Sequence, residues 1–386
     1  MRGWRIILMA LAATTCGVVR AGDAPDPKGL PGTPESFPIA VWLQAPANAE
    51  RYRAIGINTY VGLYRGPTED QLDVLDKAGI RVICGQNERS LRFKDRPTIV
   101  GWMHGDEPDN AQSLGQGKGY GPPIPPATIV EGYEKIRKAD PDRPVLLNLG
   151  QGVAWDGWHG RGVRTNHPED YPEYLKGCDI ASFDIYPAGH EKSEIAGNLW
   201  YVPLGVDRLR RWSEGKKGVW CCIETTGIDN VDRKPTPEQV RSEVWMALIH
   251  GAKGIIYFAH QFKPKFIEAG LLADEAMAGG VADINRQVRE LAPVLNSLDV
   301  ANGAAVASSK EGVPVDLVVK RHAGRTYLLS VAMREGETTA TFTVPGTGDG
   351  RVEVLGEGRT IEAVGGKWED RFTGYQVHLY RIGPDR

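Results

Sequence analysis

The sequence predicts an α/β protein: a (β/α)8 TIM barrel followed by a small C-terminal antiparallel β-sandwich domain. Three observations carry this. Short apolar runs rich in Val, Ile, Tyr and Trp alternate eight times with helical segments, over about 260 residues. The segments leaving those runs are long, whereas the segments entering them are short. From about residue 301 helical periodicity gives way to short strands separated by turns.

The expected strands are 38–44, 57–64, 81–87, 99–105, 145–149, 180–186, 218–225 and 254–260. Apolar runs of this kind suit parallel strands covered by helices. Helix starts are marked by capping boxes at Thr68 with Gln71 and at Thr236 with Gln239, the second with Pro237 in the first helical position. Val240, Val244, Ala247 and Leu248 then form an apolar stripe. Further helices are expected over 127–138, 199–213 and 281–298. A doubly wound sheet is the rival architecture, but Gly115–Gly121 misses the G-x-G-x-x-G spacing and Gly117-Lys118 lacks the Ser or Thr of a phosphate loop. The entering segments Gly79-Ile80 and Gly251-Ala252-Lys253 contrast with the exits at 109–126, 150–170 and 261–280. Elaboration on the C-terminal ends of barrel strands is what an enzyme requires. Beyond residue 301, strands are expected at 314–320, 326–332, 338–344, 351–355 and 375–381.

The 386 residues carry a formal charge of −3, with 41% hydrophobic and 25% charged residues. That balance excludes disordered and coiled-coil chains, and without basic clusters it argues against nucleic acid. The long apolar run lies at the N-terminus, where Arg2 and Arg5 precede Ile6–Ala13 and Val19-Arg20-Ala21 offers a cleavage site. The expected organisation is a signal peptide at 1–21 cleaved near Ala21, a Pro/Gly-rich linker at 22–37, the barrel at 38–300 and the β-sandwich at 301–386. Export to the periplasm or exterior follows, without membrane insertion. Cys16 would leave with the signal peptide. Cys84, Cys178, Cys221 and Cys222 show no C-x-x-C spacing and are expected as buried free thiols. The eight histidines form no metal pattern, so neither metal nor cofactor is expected, and the absence of G-x-S-x-G disfavours an esterase.

Two strand ends could carry chemistry. The fourth runs into Gly105-Asp106-Glu107-Pro108 and the seventh into Cys222-Ile223-Glu224-Thr225. Both glutamates follow apolar cores on the catalytic face, and paired carboxyls there suit retaining glycoside hydrolysis. Taken singly, either could be a structural ion pair or an exposed loop acid.

On Asp106-Glu107-Pro108 and Ile223-Glu224-Thr225 the chain, over about residues 38–298, resembles the retaining glycoside hydrolases of clan A. The resemblance implies Glu107 as acid/base and Glu224 as nucleophile, with Tyr186 hydrogen-bonding the nucleophile and a carbohydrate substrate. Two positions depart from that pattern. Asp106 stands where the clan has asparagine, and Phe258, His260 and Gln261 stand near the end of strand eight in place of tryptophan. The Asp106-Glu107 pair also resembles the substrate-assisted N-acetylhexosaminidases, in which the substrate's acetamido group attacks. A carbohydrate-binding barrel without catalysis is the reading from another class. Substrate contacts are expected from Trp155 and Trp158 in the loop after strand five, and from Asp106, Asn148, Asp184, Tyr186, Trp42, Gln44 and His260. Filling of the barrel interior is an equal alternative for Trp42.

Overall fold

The computed structural model describes residues 35–383, so the expected signal peptide and most of the linker lie outside the described residues. β1 (Ile39–Trp42), β2 (Thr59–Val61), β3 (Arg81–Gly85), β4 (Ile99–Met103), β5 (Val145–Leu149), β6 (Ile180–Phe183), β7 (Gly218–Glu224) and β8 (Gly254–Phe258) form a closed parallel barrel in sequence order. β8 returns to β1, with Ile255 beside Ile39. The strand repeat of two divides the side chains. Ala40, Val61, Leu146, Ile180, Trp220 and Ile256 fill the interior, while Ile39, Val82, Leu147, Ala181 and Ile255 pack outward against the helices. Burial on both faces explains why these strands read as unbroken apolar runs.

Both capping boxes form. The Thr68 side chain accepts from the Gln71 amide while Gln71 returns to the Thr68 amide, and Thr236 with Gln239 does the same. The helix Pro237–Ile249 is buried on nearly every side, Ser242, Glu243 and Trp245 included, because it lies between the barrel and the C-terminal strands. The helix expected over 281–298 instead begins at Glu275, capped by Asp274, and stops at Glu290 before a short turn of helix at Ala292–Leu295. Pro293, at the second position of that turn, has no N–H to continue the first helix.

The C-terminal part forms two antiparallel sheets. The first, in order β10-β11-β16-β13-β14, joins β10 (Val315–His322), β11 (Arg325–Ala332), β13 (Gly350–Val354), β14 (Arg359–Ala363) and β16 (Val377–Ile382). The second, β15-β12-β9, joins β9 (Ala305–Ser308), β12 (Thr338–Thr343) and β15 (Lys367–Phe372). β11 shows the two-sided logic: Tyr327, Leu329 and Val331 belong to the cluster around Pro237–Ile249, while Leu328 and Ala332 face Phe342 and Trp368. β9, β14 and β15 were not among the expected strands. β14 buries only Ala363 and β15 only Trp368 and Phe372, and the two expose Glu362, Lys367, Glu369 and Arg371, which conceals them in sequence.

His250, at the end of the helix Pro237–Ile249, ties the two parts together. Its Nδ1 lies 2.9 Å from Asp207 and its Nε2 3.2 Å from Asp316 on β10. Burial pulls the imidazole pKa down, but the two carboxylates outweigh it and raise it to about 9. The folded value lies above the unfolded one, so the stabilisation is complete below about pH 6.5 and is lost as pH rises through 9. Thermal midpoints should therefore fall between pH 6.5 and 9, by up to about 3 kcal/mol of stability. His250→Gln should flatten that slope; an unchanged slope would place the pH dependence elsewhere.

Cys84, Cys178, Cys221 and Cys222 are free and buried. Among the described residues no group of three or more His, Cys, Asp or Glu side chains could hold a metal ion. Nor is any described helix long and apolar enough to cross a membrane.

Candidate active site

Strand β4 ends at Met103, and the chain then turns so that Glu107 takes a left-handed conformation at φ 42°. A non-glycine residue held there stores about 1–3 kcal/mol of strain, which the surroundings must stabilise. They do so on three sides. The Glu107 amide donates to the Asn148 carbonyl at 3.2 Å. Asn110 Nδ2 donates to Glu107 Oε2 at 2.8 Å, and Gln112 Nε2 donates to the Glu107 carbonyl at 3.2 Å. Gly150 supplies the room: a Cβ there would stand 3.0 Å from Glu107 Oε1 and 2.8 Å from Asn110 Nδ2.

Across the mouth, just beyond β6, Asp184 lies close enough to the Glu107 carboxyl for each to shift the other's titration. Tyr186 donates its hydroxyl to Asp184 Oδ2 at 3.1 Å, while the buried Oδ1 has no hydrogen-bond partner. Burial lifts Glu107 to about 7, and burial together with the Glu107 charge lifts Asp184 well above the usual carboxylate range. The contact with Asp184 holds the Glu107 value down against burial, so Asp184→Ala should move the basic limb of the pH–rate profile to higher pH; an unmoved limb would mean that Asp184 does not set it.

Asp106 is exposed beside Glu107 and is oriented by Asn148, whose Nδ2 donates to Oδ1 at 2.9 Å. Asn148 is itself fixed by the Ser182 hydroxyl at 2.7 Å. Trp158 joins the site through Asn110, its Nε1 donating to Oδ1 at 2.9 Å. Trp155 lies 5.7 Å from Trp158 and edge-on to His190. Both indoles are half-buried.

Glu224 has different company. Its side chain is 0% exposed; Oε1 accepts from the Ala188 amide at 2.6 Å and Oε2 from the Gly189 amide at 2.9 Å. Glu243, on the outer helix Pro237–Ile249, lies close behind it, and neither of its buried carboxyl oxygens has a hydrogen-bond partner. Burial raises Glu224 to about 8 against the pull of the two amides, and raises Glu243 well above the usual range. Tyr186, expected beside Glu224, spends its hydroxyl on Asp184.

The remaining expected contacts divide. Trp42 is buried among the interior side chains. Gln44 and His260 are buried together, Gln44 Nε2 donating to His260 Nε2 at 3.2 Å and to the Glu268 carbonyl at 3.1 Å. Tyr52 donates to Gln44 Oε1 at 2.6 Å. The sequence reading missed Asn110 and Glu243. Asn110 could have been found, since it stands one turn beyond Glu107; nothing in the local sequence points Glu243 at Glu224.

Residues 127–298 match the family model described as beta-galactosidase, glycoside hydrolase family 42 of clan A. Over that stretch the barrel is similar to a glycoside hydrolase. The matched stretch contains β5 to β8, and Glu224 with them, while Asp106 and Glu107 precede it. No curated protein matches the chain. Solved structures share the fold of this chain at low identity. An alpha-L-arabinofuranosidase of Thermotoga maritima superposes with a TM-score of 0.53 at 11% identity, covering 93% of this chain and 99% of that one. A maltogenic alpha-amylase of Thermotoga neapolitana gives 0.52 at 9%, covering 91% and 99%. An Anoxybacillus alpha-amylase gives 0.51 at 10%, covering 92% and 99%.

Proposed function

We propose that this chain is an exported retaining glycoside hydrolase that cleaves an oligo- or polysaccharide by double displacement, with Glu107 as acid/base and Glu224 as nucleophile. The observation that carries the reading is the Glu107 carboxyl. It stands in a strained turn at the end of β4, is lifted to about 7, and is linked through Asn110 to Trp158. A carboxyl protonated near neutrality can donate to a departing sugar oxygen. Glu224 earns its role from its place at the end of β7 and from the matched stretch that runs through it. The reading requires Ala188 and Gly189 to release Glu224, and Glu224 to lose the proton that burial holds up to about 8, when a sugar enters, since a nucleophile must be ionised and touch the anomeric carbon. Export is supported by the charged, then apolar, N-terminal sequence.

One observation favours a second reading. Asp106 is already open and oriented by Asn148, while Glu224 is enclosed. Substrate assistance by a 2-acetamido group needs Asp106 and Glu107 and no enzyme nucleophile. Turnover on 4-nitrophenyl glycosides with and without a 2-acetamido group, with NMR of the first-formed anomer, tests both. Retention on sugars lacking that group supports double displacement. Cleavage of 2-acetamido sugars alone supports the second reading, and inversion or no turnover sinks both.

A further inference from the structure

The loop leaving β8 carries two phenylalanines that the site so far does not use. Phe262 is 45% exposed and Phe266 61%, with ring centroids 5.6 Å apart. Gln261 and Ile267 exchange backbone hydrogen bonds of 2.9 Å in both directions, closing a short hairpin with the two rings just inside its neck. The amides of Phe262 and Lys263 both donate to the Gly227 carbonyl, at 2.9 and 3.1 Å. That approach needs glycine, since a Cβ at Gly227 would lie 2.9 Å from the Lys263 carbonyl oxygen. The hairpin is thus pinned both at its neck and to the loop after β7. His260 stands close to both rings, nearly parallel to them at 18° and 21°.

These rings adjoin the catalytic centre without entering it. Phe262 lies 6.1 Å from Phe258, and Phe258 lies 5.2 Å from Tyr186, whose hydroxyl bonds Asp184, the carboxyl partner of Glu107. An unbroken aromatic path therefore runs from the carboxyl pair to the rim. Adjoining apolar rings kept in water by a pinned backbone mark a binding surface. A pyranose fits such a surface: its C–H face is apolar and meets the negative face of an aromatic ring, while its hydroxyls point sideways into solvent.

We propose that the Phe262–Phe266 hairpin is a glycan platform that holds a sugar unit beyond the one being cleaved, so that the enzyme acts on extended chains. The proposal rests on the glycosidase reading but concerns residues outside its chemistry. The full chain and a Phe262→Ala/Phe266→Ala double variant are compared by two readouts. One is hydrolysis of the best 4-nitrophenyl glycoside, and the other is retardation in native gels containing soluble galactan, xylan or glycol chitin. The variant should keep aryl glycoside turnover within about twofold and bind the retarding polysaccharide about tenfold more weakly or worse. Phe266→Tyr should retain retardation. Equal retardation of the double variant and the parent overturns the platform, as does a parent retarded by none of the three polysaccharides. A parallel fall in aryl glycoside turnover overturns it too, by making the rings part of the catalytic centre. So does a concentration-dependent mass that the variant abolishes without loss of retardation, which identifies a contact between copies. If retardation is lost in the variant but the parent turns over no glycoside, the platform stands and the catalytic reading falls.

Discussion

Glu107→Gln should lower kcat/KM by roughly 100- to 10,000-fold on glycosides whose leaving group needs a proton, the range that positioned general acids contribute. Glutamine keeps the shape and can still meet Asn110 and Asp184, so the turn at φ 42° is preserved while the transferable proton is lost. Activated aryl glycosides, whose leaving groups depart as anions, should lose far less in the bond-breaking step. The pH profile adds an independent sign. Glu107 is raised to about 7, so the acid form dominates below that value and activity should fall as pH rises through it. That basic limb should vanish in Glu107→Gln. A variant that retains the limb and the full rate on poor leaving groups would assign the acid to another residue.

Glu224→Ala should cost several orders of magnitude in turnover, because nothing nearby replaces the covalent route. Azide entering the vacated space should restore reaction with activated substrates and release the inverted glycosyl azide. Asp106→Asn should be mild, since asparagine still accepts and donates beside Asn148. The enclosure of Glu224 adds a second expectation. Removing its carboxylate leaves the Ala188 and Gly189 amides without an acceptor, at about 1–3 kcal/mol for each buried donor. Thermal midpoints must therefore be measured beside the rates, and Glu224→Gln, which retains an acceptor oxygen, separates chemistry from folding. A folded, nearly active Glu224→Ala beside a dead Asp106→Asn would reverse the assignment in favour of substrate assistance. Glu224 would then be a clamp that fixes the segment carrying Tyr186 and His190.

What sequence alone determined about this protein is what local physics encodes. The double-faced burial of parallel strands wrote eight apolar runs, and all eight form the barrel. Both capping boxes close within one helical turn, so Thr68–Gln71 and Thr236–Gln239 were legible without knowledge of the fold. Asp106, Glu107 and Asp184 were legible as acids at strand ends, because barrel strands present their C-terminal ends to one face. Which acids meet was decided only by tertiary structure. Closure of the barrel sets Asp184 against Glu107, and the segment after β6 folds its Ala188 and Gly189 amides over Glu224. Helix Pro237–Ile249 then seats Glu243 behind Glu224, and Gly227 fixes the hairpin that exposes Phe262 and Phe266. None of these partners is a neighbour in sequence. The direction of a side chain at a strand end depends on the loops that pack on it, and a periodic pattern carries no record of those loops.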